Sequence, residues 1–230
     1  MPTPLAILFE SDTLVAVDKP AGIIVHGDGT GAETLTDRLA ATLAARGGEV
    51  ATRIDELQAL QRLDRETSGI VLFSTAKATQ GTYDRAIAEH RFEKRYLAIV
   101  EGKPNWRERT FTGPIGRDRH DARRMRVSRT GKPATTHARV LAARTVHGRA
   151  LTLLDIRIET GRKHQIRVHL SHAGLPLMGD ALYGRADTAG LMLHAAHLAF
   201  TDPVSGEHVS IDAPAPVRMR TLFGRKLGPA

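Results

Sequence analysis

Short apolar runs broken by polar turns recur along the chain, and their lengths and periods predict more strands than helices. Residues 5–9 and 13–17 are two such runs separated by Glu10-Ser11-Asp12, the pattern of paired strands. Asp18-Lys19-Pro20-Ala21-Gly22 interrupts it, because Pro20 has no N–H for a ladder and Gly22 supplies turn freedom before Ile23-Ile24-Val25. Thr34 is placed to cap a helix through Arg46, with Leu35, Leu39 and Leu43 on one stripe and Gly47-Gly48 ending it. Ile70-Val71-Leu72-Phe73 is an unbroken apolar run after a glycine, which predicts a strand buried on both faces. A second helix is expected over 76–90, with Ala76, Tyr83 and Ile87 on its buried side, and then a strand over 95–100 closed by Gly102 and Pro104.

Two further strands are expected over 137–143 and 151–159, joined near Val146-His147-Gly148. Ile166, Leu170 and Ala173 then recur at helical spacing until Gly174 and Pro176 stop the helix, which puts Lys163 and Arg167 on one face, one turn apart. A turn-rich piece from Met178 to Gly184 precedes a strand over 191–200, and the Ala-, Pro- and Arg-rich tail from Ala213 is expected to be partly ordered at best. Strands outnumber helices and several are consecutive. The predicted class is therefore α+β, with a mixed, largely antiparallel central sheet and flanking helices. No repeat, low-complexity stretch or linker divides the chain. Residues 1–215 are expected to form a single domain, and 216–230 a basic C-terminal tail.

Charge adds a partner to this picture. The chain carries 33 Lys and Arg against 25 Asp and Glu, a net +8, which favours an anionic partner, nucleic acid ahead of an acidic membrane surface. The density peaks over 117–132, where seven Lys or Arg stand against two Asp with little apolar periodicity. Arg123, Arg124, Arg126 and Lys132 of this stretch are candidates for RNA phosphate contacts, which set affinity and register without reading sequence. A solvated charged hairpin fits the same composition equally well. Cysteine is absent, which excludes disulfides, thiolate zinc sites and cysteine nucleophiles and fits a reducing compartment. No apolar stretch approaches the ~20 residues that span a bilayer. Met1 to Glu10 lacks a basic n-region and meets an acid too early for a signal peptide. These features predict a cytoplasmic protein. The His26–Gly31 stretch is glycine-rich but lacks the spacing of a dinucleotide fingerprint, and is expected to be flexible without binding phosphate.

The candidate chemistry centres on Gln61-Arg62-Leu63-Asp64-Arg65-Glu66-Thr67-Ser68-Gly69, immediately before the buried run. This places one carboxylate between two guanidiniums on a polar loop held against a buried strand, a common setting for catalytic groups. An isolated Arg-Leu-Asp tripeptide is more often an ordinary surface turn, and other segments tip the balance. Asp18-Lys19-Pro20-Ala21-Gly22, Arg62-Leu63-Asp64 with Thr67-Ser68-Gly69, and Lys94-Arg95-Tyr96 are followed in order by Gly131-Lys132-Pro133-Ala134 and by Thr160-Gly161-Arg162 through His169. Gly179-Asp180 with Tyr183-Gly184, and Leu193-His194-Ala195, complete the series. With these motifs over roughly residues 7–215, the chain resembles the RluA-type pseudouridine synthases, which isomerise selected uridines of ribosomal or transfer RNA to pseudouridine.

The resemblance implies a catalytic cleft across the sheet and roles for particular positions. Asp64 matches the essential aspartate that acts on the ribose, and Tyr96 the tyrosine that lies against the base. Arg167 matches the basic residue that pairs with the aspartate. Arg62 matches the arginine that fills the space left by a flipped nucleotide, and Ile166 the apolar neighbour of the base. Lys19, Arg162 and His164 lie in matching motifs and are expected to bind substrate. No cofactor and no metal are implied, RNA is the partner, and a monomer is expected. Gln61 stands where many members carry His, and Leu175 and Asp202 replace other frequent histidines. Many relatives also carry a small N-terminal RNA-binding domain, and none is expected here.

Two other classes compete. His164, His169, His172, His194 and His197 invite a metal-hydrolase reading, but HxxxxH is not the HExxH spacing and no acidic ligand accompanies it. A catalytically silent RNA-binding module or RNA chaperone of the same fold would bind RNA whatever stood at position 64 and leave the uridine unchanged.

Overall fold

The computed structural model describes residues 5–27, 29 and 31–227, so the expectations for the first four residues, Asp28 and Thr30 lie outside the described residues. In chain order the elements are β1 (Ile7–Glu10), β2 (Leu14–Lys19), α1 (Leu35–Arg46), β3 (Gln58–Ala59), β4 (Ser68–Ser74), α2 (Lys77–Ala88) and β5 (Glu93–Glu101). They continue with β6 (Glu108–Phe111), β7 (Ile115–Arg117), β8 (Met125–Val127), β9 (Thr136–Val146), β10 (Arg149–Ile158), α3 (Gln165–His172), β11 (Leu193–Thr201), β12 (His208–Asp212) and α4 (Val217–Phe223). The class is α+β with antiparallel strand pairing, as the run pattern predicts. The chain divides into two compact units, Met1–Phe92 with His197–Ala213, and Glu93–Ala196 with Pro214–Ala230.

In the first unit β2 pairs with both β1 and β4, so its two central strands alternate side chains between two faces. Leu14, Ala16, Ile70 and Leu72 point to one face, where Tyr83 and Ala86 of α2 cover them together with Leu198, Phe200, Val209 and Ile211. Val15, Val17, Val71 and Phe73 point to the other, under Leu35, Leu39 and Leu43 of α1. The run at 70–73 is therefore buried on both faces, the reason it lacks polar alternation. Thr34 caps α1 through a reciprocal capping box with Asp37, and Gly47 ends the helix with φ 71°. Tyr83 is fully buried, and its hydroxyl bonds to Thr13 at 2.7 Å and to Asp202 at 3.0 Å. Burial, together with the Asp202 carboxylate, pushes this phenol up to about 12.

In the second unit β5, β10, β9 and β6 form an antiparallel sheet in that order. Ile99, Leu151 and Leu153 lie under Met219 and Phe223 of α4. The segment expected to be a partly ordered tail thus holds a buried helix. Its apolar pair is four residues apart on a helix of seven, too short for periodicity to reveal. The short strands β3, β6, β7, β8 and β12 were likewise absent from the pattern. The basic stretch is organised as the β7–β8 hairpin, with Ile115, Met125 and Val127 packed toward Val168, Leu182 and Tyr183. Among the described residues no helix is long and apolar enough to cross a membrane.

Gly179 has φ 78°, and a Cβ there would lie 2.0 Å from the Gly190 carbonyl oxygen. Gly179→Ala is expected to cost at least about 2 kcal/mol, from left-handed strain plus backbone displacement. It should lower the unfolding midpoint in a thermal melt by several degrees.

Candidate active site

The expected site residues fall in both units: Lys19, Arg62 and Asp64 in the first, the remainder in the second. Asp64 occupies the loop between β3 and β4, where Leu63 packs into the α1 side of the core. Several main-chain bonds fix this loop. Leu60 N–H donates to the Leu72 carbonyl at 2.8 Å, and Thr67 N–H to the Asp64 carbonyl at 3.1 Å. The Arg65 carbonyl accepts from Gly22 N–H and from Lys19 Nζ, both at 2.8 Å. Asp64 is half-buried and Arg62 is exposed.

Lys19 corrects an expectation. It is fully buried, and its ammonium donates to the carbonyls of Pro20, Ile23 and Arg65 at 3.0, 2.7 and 2.8 Å. A buried ammonium needs acceptors, and these three make it a tie between the Lys19–Gly22 turn and the Asp64 loop rather than a substrate contact.

In the second unit Tyr96 is buried on β5 in register with Ile156, and Ile156 with Ala138, so the three share one sheet face. Thr136, two residues before Ala138, points to the same face and bonds to Gln165 and His169 of α3 there. Tyr96 and α3, which carries Ile166 and Arg167, therefore lie on the same side of this sheet. Lys94 lies two residues before Tyr96 on that side, and burial pushes its ammonium below the ordinary lysine value. A cavity of about 270 Å³ lined by Arg95, Arg139 and Asp155 among others opens on the opposite face. Two of its four arginines, Arg95 and Arg139, are bonded to Asp155, and its place on the other face separates it from the candidate chemistry.

The α3 helix is pinned on one flank and presents Arg167 from another. Gln165 Nε2 donates to the Thr135 carbonyl at 2.9 Å and to Thr136 Oγ1 at 3.0 Å, while its Oε1 accepts from the Thr160 hydroxyl and Arg162 N–H. His169 Nε2 lies 2.8 Å from the Gly113 carbonyl, which can only accept, so this nitrogen carries the proton and Nδ1 accepts from the Thr136 hydroxyl. Desolvation pushes the His169 pKa below the ordinary value. His164 precedes the helix with φ 57°. That left-handed residue leaves Lys163 outside α3, so Lys163 and Arg167 do not share a helix face as expected.

Arg167 is 8% exposed and Asp180 1%. Nε and Nη2 of the guanidinium donate to the two Asp180 carboxylate oxygens, each at 2.8 Å, a bidentate fork. Asp180 also accepts from the N–H groups of Leu182 and Tyr183. Burial alone would raise its carboxyl, but the Arg167 bonds and charge and these two N–H groups outweigh burial and hold it below the ordinary value. In the sequence Gly179-Asp180 stands out only as a matching motif. The available signal was a lone acid in an apolar, turn-rich stretch, next to a helix carrying an apolar-flanked arginine.

The remaining candidates divide. Arg126 and Lys132 are exposed. Arg123 is exposed and ion-paired with Asp121. Arg124 instead lies half-buried with its guanidinium carbon 5.1 Å from the Tyr183 ring centroid, so it is not an outward-facing cation like its neighbours. Arg162 Nε donates to the Pro133 carbonyl at 3.0 Å, and His164 Nδ1 bonds to the Tyr183 hydroxyl at 2.8 Å. Both have structural partners where substrate contacts were expected. Among the described residues no group of three or more His, Cys, Asp or Glu could hold a metal ion.

A family model described as RNA pseudouridylate synthase matches residues 13–172. The chain belongs to that family. Its sequence is 36% identical over 220 residues to YhcT of Bacillus subtilis, named an uncharacterized RNA pseudouridine synthase, covering 95% of this chain and 71% of the relative. It is 34% identical over 238 residues to the ribosomal large subunit pseudouridine synthase D of Zymomonas mobilis, covering 96% and 72%. The solved structure of human RNA pseudouridylate synthase domain containing 1 superimposes with a TM-score of 0.75 at 27% identity, covering 92% of this chain and 84% of that one. This RNA pseudouridine synthase is thus an isomerase, and the silent-module alternative has no support among its relatives.

Two outcomes follow from the α3 surroundings. Asp180→Asn leaves a buried guanidinium without its carboxylate, so stability should drop by roughly 3–5 kcal/mol, measured by denaturant unfolding, with pseudouridine formation lost. As pH falls through the unfolded histidine value of about 6.5, the unfolded chain takes up a proton that folded His169 refuses. Stability should therefore decline below that pH. His26, also lowered by burial and then by the Arg62 charge, adds in the same direction. Melting from pH 7 to 5 should show the decline in the native enzyme and a shallower one in His169→Gln.

Proposed function

We propose that this enzyme isomerises selected uridines of large-subunit ribosomal RNA, with residues 1–215 acting as one catalytic domain, in the cytoplasm, as a monomer and without a cofactor. Transfer RNA is the second candidate substrate. The names of similar synthases from Zymomonas mobilis and Nitrosomonas europaea, both large-subunit enzymes, support the ribosomal choice.

The reaction breaks the bond from ribose to the ring nitrogen, turns the uracil and rejoins it through carbon 5. The proton lost from carbon 5 is balanced by one gained at the released nitrogen, so no redox partner or group donor is required. The target uridine leaves its stack, at a cost of a few kcal/mol. In this reading Arg62 occupies the vacated space, and Arg126 and Lys132 hold phosphates. The Asp64 carboxylate attacks the anomeric carbon or takes a proton from the neighbouring ribose carbon. Either route needs it ionised and aimed. Arg167 is assigned the pairing that keeps it so, with Tyr96 and Ile166 against the base.

The observation that carries this reading is the buried Arg167–Asp180 fork on the sheet face that also bears Tyr96. A cation held this rigidly inside a protein is suited to orienting a second anion. Pseudouridine mapping of total RNA from cells lacking the gene, complemented with the native sequence or Asp64→Asn, tests it. Loss of one or a few large-subunit positions, restored only by the native enzyme, is expected. Restoration by Asp64→Asn would remove Asp64 from the mechanism, and loss confined to transfer RNA would move the substrate.

A further inference from the structure

Tyr183 has no part in the chemistry above, yet it joins the two pieces that the proposed reaction uses in this unit. Its main chain is tied to α3 and to the Arg167 fork: the N–H donates to Asp180 Oδ1 at 3.1 Å, and the carbonyl accepts from Ser171 Oγ at 2.8 Å. Its side chain reaches the basic hairpin. The hydroxyl oxygen accepts the N–H of Met125, the first residue of β8, at 2.7 Å, and also bonds to His164 Nδ1 at 2.8 Å. Arg124 of the hairpin and Arg167 of α3 each lie 5.1 Å from the ring centroid, within cation–π range. The buried Nε of Arg124 has no hydrogen-bond partner among the described residues, and the guanidinium lies over the ring.

The hairpin needs such an anchor. Its two strands are three residues each, and a ribbon of that size is not stable alone. Its apolar support is Ile115, Met125 and Val127 toward Val168, Leu182 and Tyr183. Apolar contact is non-directional, so it holds the hairpin down without setting its register along α3. The Met125 N–H to Tyr183 hydroxyl bond is directional and sets it at β8, as the His169 bond to the Gly113 carbonyl does just ahead of β7. His164, kept at φ 57°, places the imidazole that fixes the hydroxyl from its other side. A non-glycine residue held in that region is a strain that surrounding structure must offset.

We propose that Tyr183 is a positioning residue whose hydroxyl registers the basic hairpin against α3, so that phosphates held by Arg126 and Lys132 lie at a set distance from Arg167. The inference rests on the phosphate role assigned to those two cations and adds the device that makes their grip productive.

The test is a cycle of four proteins: native, Tyr183→Phe, Arg126→Ala with Lys132→Ala, and all three changes together. Each is titrated with a protein-free, unmodified transcript of large-subunit ribosomal RNA at several salt concentrations. The native protein should lose affinity on removal of the two cations, with a salt slope smaller by about two. Tyr183→Phe keeps the ring and removes the hydroxyl. It should weaken binding about five- to tenfold, as expected for one net hydrogen bond, and raise KM more than it lowers kcat. In the Tyr183→Phe background the two cations should matter less than in the native protein, because the hairpin that carries them no longer holds its place. A cation effect of undiminished size there would overturn the inference while leaving the phosphate reading intact. No cation effect even in the native protein would remove the phosphate reading and the inference with it. Amide exchange gives an independent check, with Met125 N–H expected to exchange faster in Tyr183→Phe while β9 and β10 are unchanged. An unaltered Met125 rate would overturn the docking.

Discussion

A guanidinium and a carboxylate taken out of water together constrain everything near them in the second unit. Arg167 and Asp180 meet edge to edge with almost no solvent contact. Each would be costly to bury alone, and the pair is tolerable because geometry is good and the remaining acceptor capacity of Asp180 is used. The requirement propagates outward. Asp180 must present both oxygens, so Leu182 and Tyr183 turn their N–H groups inward and Gly179 takes a left-handed conformation against the Gly190 carbonyl. Arg167 must leave α3 at one angle, so Gln165 and His169, four residues apart on another flank, lock the helix to Thr135, Thr136 and Gly113. Such a pair is weak evidence for stability and better understood as a fixed orientation in a place where orientation is used.

The first unit employs the same physics with a different cation. Lys19 is fully buried, and its ammonium donates to three backbone carbonyls. An ammonium is a compact charge with three donors, suited to collecting oxygens from separate loops, whereas a guanidinium presents a planar fork that matches a carboxylate. Each unit thus holds one polar loop in place from beneath with a cation that solvent does not reach. In the first the loop carries Asp64, and in the second it carries Asp180 and Tyr183. Loops fixed in this way give catalytic groups the rigidity of the scaffold while leaving their side chains open to another partner.

The motifs that mark the family are, on this reading, mostly scaffolding. Gln165, His169, Asp180 and Tyr183 bond to one another or to adjoining segments, and Arg124, which composition ranked with the outward-facing cations, stacks on a phenol. Charge counting treats all arginines alike. Only their surroundings separate a cation that solvates from one that packs, because the aliphatic stem and planar head of arginine suit either.

Period and capping chemistry determined much by themselves. The apolar run at 70–73, the leucine stripe of α1 with its threonine cap, and the strands either side of His147-Gly148 follow from burial and turn preference within a few residues of sequence. The order of motifs likewise sufficed to name the chemistry, and it nominates Asp64, Tyr96 and Arg167 for the roles proposed above. Other features depended on contacts between residues far apart in the chain. A seven-residue helix with two buried apolar side chains is indistinguishable from a tail until Ile99 and Leu153 are beneath it. Asp180 acquires its importance from an arginine thirteen residues earlier, and Lys19 its burial from a carbonyl forty-six residues later. Local pattern encodes which residues prefer to be inside. Which polar groups are forced inside, and what they must then bond to, was decided only when the chain folded back on itself.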